Sequence, residues 1–475
     1  MLTHGLLIMK NLNEPDFLKV LSPYDQNLIA KVSLCNLEQA EAMIEKAFLL
    51  FKDRGKKLEH SERIAILRRL AQMVSDDEEE FAQLISQEGG KPLVDARVEV
   101  TRAIEGILYA ANEVAIVFQG DGVSMGLTSS SHDRRAYTFN EPIGVVLAVS
   151  AFNHPLNLIV HQVIPAIAVG CPVIVKPSEL TPLNCIRLVE LLYKAGLPRD
   201  WCQVCICDRI VAESLVKSSK IHFFSFIGSA KVGWYLRSQL APGVRYALEH
   251  GGLAPVFVEP DADLSKTIPA LLKGGFYHAG QVCVSVQRVF THVSVLEDFL
   301  HQIKSGAEKL IVGPATDEKT EIGPLIEPKV VDRIESWVQE ALGMGAELIS
   351  GGRRLGESTY SPTILLNPHK NSKVSNLEVF GPVICVHTYS NLEEAICLAN
   401  GLDYSFQASV FTESIRAANQ CIEGLDASAV IVNDHPAFRV DWMPFAGRKK
   451  SGSGVGGIGY TMRDLVQHKM VVWNL

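Results

Sequence analysis

From Pro142 onward the chain alternates short apolar runs with stretches of helical periodicity, and this alternation constrains the fold more than any other feature. Gly144-Val-Val-Leu-Ala-Val149 is continuously apolar, as a strand covered on both faces requires, and a helix pattern over Leu156–Val169 follows it. Pro172-Val-Ile-Val175 comes next and ends in Lys176-Pro-Ser-Glu179. A helix over Asn184–Lys194, a half-buried strand with alternating faces over Cys202–Cys207, a helix over Val211–Lys217 and a strand over Ile221–Ile227 continue the pattern. Such an order predicts an α/β fold with a doubly wound, Rossmann-type parallel sheet, whose ligands bind at the carboxyl ends of the strands. After Gly251-Gly252 a second α/β segment starts at Val256-Phe-Val258 and runs to about Phe445.

At 475 residues the chain is longer than one hydrophobic core usually organises, so two or three domains are expected. Ahead of the sheet, apolar residues recur at helical spacing in three blocks: Leu37–Leu58, Glu62–Gln87 behind a Ser61 cap, and Val94–Phe118 after Lys91-Pro92. Asp76–Glu80 is an acidic run expected on a solvated face. Gly120–Phe139 is polar and closes with the alternation Arg135-Ala-Tyr-Thr-Phe139, which suits an exposed β-hairpin, and the tail His468–Leu475 ends as an apolar strand. A net charge of −8, with no basic cluster longer than Arg448-Lys449-Lys450, argues against a nucleic-acid partner. Met1–Lys10 lacks the charged start and long apolar core of a signal peptide, and no run reaches the ~20 apolar residues of a membrane span. Ten scattered cysteines read as reduced thiols in a cytoplasm, and Cys202, Cys205 and Cys207 have no second cluster to complete a zinc site, so no metal is expected.

Chemistry points first to Gly274–Phe290, where Cys283 follows small and polar residues and precedes an apolar alternation. A thiol attacks carbon only as thiolate, so a catalytic cysteine needs a lowered pKa or a base; a buried structural thiol is the alternative. Two other motifs carry less. Gly122-Val-Ser-Met-Gly126 matches the G-x-S-x-G of serine hydrolases, but Thr128-Ser-Ser-Ser131 follows where that chemistry needs a helix. Gly454-Val-Gly-Gly-Ile-Gly459 matches a dinucleotide fingerprint without the strand–helix–strand unit behind it, and is expected to be a Gly-rich connection.

Six further segments occur in order: Ser150-Ala-Phe-Asn-His-Pro155, Val175-Lys-Pro-Ser-Glu179, Phe226-Ile-Gly-Ser-Ala-Lys-Val-Gly233, Leu248-Glu-His-Gly-Gly252, Gly280-Gln-Val-Cys283 and Glu378-Val-Phe-Gly-Pro382. Together they resemble the NAD(P)-dependent aldehyde dehydrogenase superfamily over essentially the whole chain, and most nearly its lactaldehyde and short-chain semialdehyde members. The resemblance implies Cys283 as nucleophile, Asn153 with the Cys283 N–H as oxyanion hole, and Glu249 as the base that hydrolyses the thioester. It also implies cofactor contacts from Ser150, Phe152, Lys176, Glu179, Gly228, Ser229, Val232, Glu378 and Phe380. Glu179 would repel a 2′-phosphate, so NAD is expected over NADP. His154, Arg439 and Phe445 would line the aldehyde tunnel; Arg439 would either clamp an anionic group or pair with Asp441, and His154 would either be polar to substrate or a packed neutral ring.

The implied layout is an NAD(P)-binding domain (1–120 and 140–251), a catalytic domain (252–449) and a small β oligomerisation flap (121–139 and 464–475) in a cytoplasmic homodimer or homotetramer. Four departures stand out. Val204-Cys-Ile-Cys-Asp208 lacks the usual glycine loop, His250 stands for Leu, His154 for an aromatic residue, and Val282 for the arginine common where phosphorylated aldehydes bind. The expected reaction oxidises a small, short and polar aldehyde to the carboxylic acid; a CoA-acylating dehydrogenase and a non-catalytic member of the fold are the alternatives.

Overall fold

The computed structural model describes residues 17–475, so the stretch Met1–Lys10 lies outside the described residues. Val146–Val149, Val173–Lys176, Cys202–Val204, Phe223–Ile227 and Arg245–Glu249 form parallel strands of a six-stranded sheet, closed at one edge by Gly452–Ser453 running antiparallel. Val145 to Ala148 and Val173 to Val175 are fully buried, because helices cover both faces of the sheet. The helix Asn157–Val169 is buried all round and stops at Gly170, whose left-handed φ of 88° closes the C-terminus.

A second sheet has seven strands in the order Glu347–Ser350, Thr363–Leu366, Val383–Tyr389, Val286–His292, Ala254–Val258, Gln407–Phe411 and Ala429–Val432, parallel except at the first pair. Val466–Asn474, Arg134–Pro142 and Asp121–Val123 make a separate antiparallel sheet of three. No helix among the described residues is long and apolar enough to cross a membrane.

Several local expectations are corrected. The first helix ends at Lys52, where Asp53 caps a 3-10 turn, and not at Leu58. The second block is two helices, His60–Asp76 and Glu78–Gly89, and its start is capped by Glu59 with Glu62 in place of Ser61. The acidic run sits at that joint. Glu78, Glu79 and Glu80 fill the first turn of the new helix, where the backbone N–H groups favour negative charge. Asp77 and Glu80 also pair with Arg187, and Glu79 with Arg97, so the run ties helices together. The strand expected over Cys202–Cys207 ends at Val204, and Cys202, Cys205 and Cys207 are all buried with no alternation. Among the described residues no group of three His, Cys, Asp or Glu side chains could hold a metal. An antiparallel hairpin of Phe17–Leu21 with Leu28–Ser33 had no counterpart in the sequence reading.

Candidate active site

The loop that carries Cys283 is built on an unusual backbone. After the helix Leu264–Phe276, His278, Ala279 and Gly280 all take left-handed φ values of 48°, 53° and 70°. The first two cost about 1 kcal/mol or more each, strain that concentrates at functional loops. Gly280 has no alternative, since a Cβ there would collide with the Gly381 carbonyl. Gln281, fully buried, holds the turn: its Nε2 donates to the His278 (3.2 Å) and Pro324 (3.3 Å) carbonyls, and its Oε1 accepts from Ile326 N–H at 2.9 Å.

The same residue fixes Asn153. Its buried amide donates one hydrogen to the Gln281 carbonyl at 2.9 Å, which leaves the second free. Gly252 N–H donates to the Cys283 carbonyl at 3.2 Å and so joins the nucleophile loop to the segment after Glu249. Glu249 ends its strand with the carboxylate packed on Gly456, where any Cβ would collide with it. The Gly-rich segment connects the strand Gly452–Ser453 to a helix that already begins at Ile458, and its Gly456 makes room for a candidate base. Burial raises the Glu249 carboxyl above its usual range, Arg439 partly opposing. Burial likewise pushes the Cys283 thiol up to about 12; Arg439 opposes this, and Glu378 and Glu249 add to it.

These groups line one cavity of about 530 Å³, which continues from Cys283 to Lys176 and Glu179 at the carboxyl ends of the parallel strands. Lys176, buried, donates to Glu179 at 2.8 Å. Ser229 caps the helix Ala230–Ser238 without using its side chain, so its hydroxyl is free beside Gly228, and Val232 stands half exposed one turn in. Glu378 packs so closely on Gly251 that no Cβ fits there, and its Oε1 is buried without a partner. Burial lifts that carboxyl to about 8, Arg333 partly opposing. The Ser150 hydroxyl is also buried and unpartnered, and Phe152 meets Phe380 edge-on at 5.8 Å. Free hydroxyls, a helix N-terminus and an orphaned carboxyl along one cleft fit a dinucleotide. The Val204–Asp208 segment lies outside this lining, with Asp208 capping the helix Arg209–Val216.

The opposite end of the cavity is basic. Arg439 does not pair with Asp441. That carboxylate accepts from Arg102 (2.7 and 3.1 Å) and Asn157 (3.0 Å), with His161 Nε2 at 2.6 Å. The Arg439 guanidinium instead lies 3.5 Å from the centre of the Phe445 ring, and its Nε is buried without a partner. His154 is packed against Lys91, whose ammonium lies 2.8 Å from Nδ1, and burial followed by that charge holds the ring neutral, its pKa lowered to about 4. His250 is buried against Gly233, where a side chain would collide with it, and its Nδ1 lies 2.9 Å from the Gly228 carbonyl.

The fold therefore brings Cys283, Glu249, Asn153, the nine cofactor candidates and His154, Arg439 and Phe445 to one cavity. Arg102 and Asp441 are partners that sequence reasoning missed, because they lie 339 residues apart. Gln281 stood inside a quoted motif, yet nothing in its type announced a positioning role. Ser124 of the G-x-S-x-G match follows a three-residue exposed strand with no nucleophile turn.

A sequence model of the aldehyde dehydrogenase family matches residues 11–471. The 3-sulfolactaldehyde dehydrogenase of Priestia aryabhattai is 37% identical over 461 residues, covering 96% of this chain and 95% of that protein. Aldehyde dehydrogenase 21 of Physcomitrella patens, solved with the reaction product succinate, superposes with a TM-score of 0.94 at 32% identity, covering 98% of this chain and 96% of that one. The glyceraldehyde-3-phosphate dehydrogenase of Methanocaldococcus jannaschii, solved with NADP, gives 0.92 at 34% identity, covering 98% and 100%.

Proposed function

This chain belongs to the aldehyde dehydrogenase family and oxidises aldehydes with NAD or NADP; on that premise we propose a covalent, hydrolytic route through Cys283 with a short, polar or anionic substrate. The observation that carries it is the convergence of Cys283, Asn153 and Glu249 on a cavity whose far end holds Lys176 and Glu179.

Cys283 loses its proton to solvent and adds as the thiolate to the aldehyde carbon, the C=O π bond opening to the oxyanion of a thiohemiacetal; Arg439 opposes the burial that otherwise keeps the thiol protonated. The free Asn153 amide hydrogen and the Cys283 N–H meet the charge that develops on oxygen. Bound NAD(P) supplies the hydride acceptor. Glu249 then takes a proton from the water that cleaves the thioester, and the carboxylic acid leaves. A carboxyl held above its usual range by burial suits that task better than an exposed one, because its proton affinity is closer to the working pH. A carboxylate placed to activate water favours hydrolysis over transfer of the thioester to CoA.

At the cofactor end, Glu179 beside Lys176 favours the ribose hydroxyls of NAD over a 2′-phosphate. At the substrate end, Arg439 with a free Nε over Phe445 offers a cation to a short anionic chain. Three similar proteins are named for, or solved with, 3-sulfolactaldehyde, succinate and glyceraldehyde-3-phosphate, all short and anionic. Oxidation of an aldehyde panel with NAD and with NADP, followed at the nicotinamide absorbance, tests the reading. Arg439→Met is expected to raise KM for an anionic aldehyde far more than for propanal. Equal losses on both would assign Arg439 to structure.

A further inference from the structure

The side chain next to Asn153 carries a donor whose orientation is set by a buried ion pair. Lys91 is fully buried, and its ammonium forms a short ion pair with Glu99. Glu99 is pinned in turn: its Oε1 accepts from the backbone N–H groups of Leu156 (2.9 Å) and Asn157 (3.0 Å). Burial alone would raise that carboxyl, but the ammonium outweighs it and holds Glu99 ionised; burial in turn lowers the Lys91 pKa from its ordinary value, and the Glu99 charge opposes this by pairing with the ammonium.

The same ammonium lies 2.8 Å from His154 Nδ1. An ammonium has three donors and no acceptor, so Nδ1 has to be the bare nitrogen of the ring, and the proton of the neutral imidazole sits on Nε2. Glu99 Oε2 stands 3.6 Å from Nδ1, too far to compete for a proton there. The hydrogen bond of the ring is made at Nδ1, and His154 lines the cavity that holds Cys283. Tyr277 and His278 pack at 6.1 and 6.4 Å between ring centres, so the ring is held in place on its other sides.

We propose that His154 Nε2–H is a fixed donor selecting aldehydes with an oxygen on the carbon next to the carbonyl, that is, 2-hydroxyaldehydes. Asn153 would grip the carbonyl oxygen, and His154, the next residue and part of the same cavity lining, would offer its donor to the substituent beside that carbonyl. This rests on the aldehyde-oxidising route above and adds to it a reason for preferring one substrate class. A site that presents a polar group favours the substrate that satisfies it and discriminates against the analogue that leaves it unpaired.

The test compares 2-hydroxypropanal with propanal, using the full chain and its nicotinamide cofactor. Wild type is expected to favour the hydroxyaldehyde in kcat/KM by roughly tenfold, the worth of one hydrogen bond made against a fixed partner. His154→Phe keeps the ring volume and removes the donor, so it should lower the ratio of hydroxyaldehyde to propanal kcat/KM toward one. His154→Gln, which can still donate, should restore part of the preference. Equal kcat/KM for the two aldehydes in wild type, or a Phe variant that lowers both alike, overturns the proposal while leaving the covalent route intact. Oxidation of neither aldehyde would overturn both. If the Phe variant fails to fold, the ring-nitrogen chemical shifts of His154 in the wild type decide: a bare Nδ1 is expected, and a protonated Nδ1 overturns the assignment.

Discussion

Asn153 has two amide hydrogens, and the fold spends one of them on the Gln281 carbonyl. The other is therefore aimed, not free to rotate, which is what an oxyanion donor needs. Asn153→Ala should slow hydride formation by roughly 10²–10³, the range for loss of one such donor. A single-turnover rate that falls less than tenfold would move the oxyanion contact elsewhere. Glu249 gives a pH prediction. Its pKa is raised by burial, so the acid form persists to higher pH than for an ordinary carboxyl, and only the carboxylate can take a proton from water. Steady-state turnover limited by deacylation should therefore fall as pH drops through that raised pKa. An acid limb at the ordinary carboxylate range would contradict the buried setting. At this scale Cys283, Asn153 and Glu249 were legible because each stands in a short motif whose order along the chain is specific. Arg102 was not, because only the folded chain sets it against Asp441 and turns Arg439 toward Phe445.

The elements that hold the cofactor end are strands buried on both faces, and this is why they stood out as unbroken apolar runs. Lys176 is the last residue of one such strand, and Glu179 follows on the loop. Glu179→Gln should improve kcat/KM with NADP relative to NAD by roughly tenfold or more, since one like-charge contact with a 2′-phosphate is removed. A wild-type enzyme that already prefers NADP would defeat the like-charge argument. Other elements were hidden for physical reasons. Helical periodicity runs straight through Asp77, so the break there is visible only in the hydrogen bonds, and the pairing of Asp77 and Glu80 with Arg187 is tertiary. Cys202 to Cys207 has a strand pattern throughout, but the strand stops at Val204, and Cys205 and Cys207 enter the core from the irregular segment beyond it.

On the scale of the whole molecule, the three-stranded sheet leaves Met470 and Trp473 more than half exposed on its outer strand, with Leu475 exposed just beyond it. We propose that this sheet joins copies of the chain, because an apolar strand at a sheet edge pairs readily with another. Trp473→Glu should shift the sedimenting species to a smaller mass while leaving the fold intact, and an unchanged mass would assign assembly to another face. The site itself spans the two larger sheets: Asn153, Glu249 and seven of the cofactor candidates come from segments of one, while Cys283, Glu378 and Phe380 come from segments around the other. On the proposed route these parts carry one reaction in two stages, with acyl transfer to Cys283 and its release by Glu249. A rapid-mixing experiment on Glu249→Gln tests it most directly. A burst of reduced nicotinamide of about one equivalent per active site is expected, as fast as in wild type, followed by slow turnover, with CoA unable to restore the rate. Linear progress without a burst, or a burst slowed as much as the turnover, would contradict it.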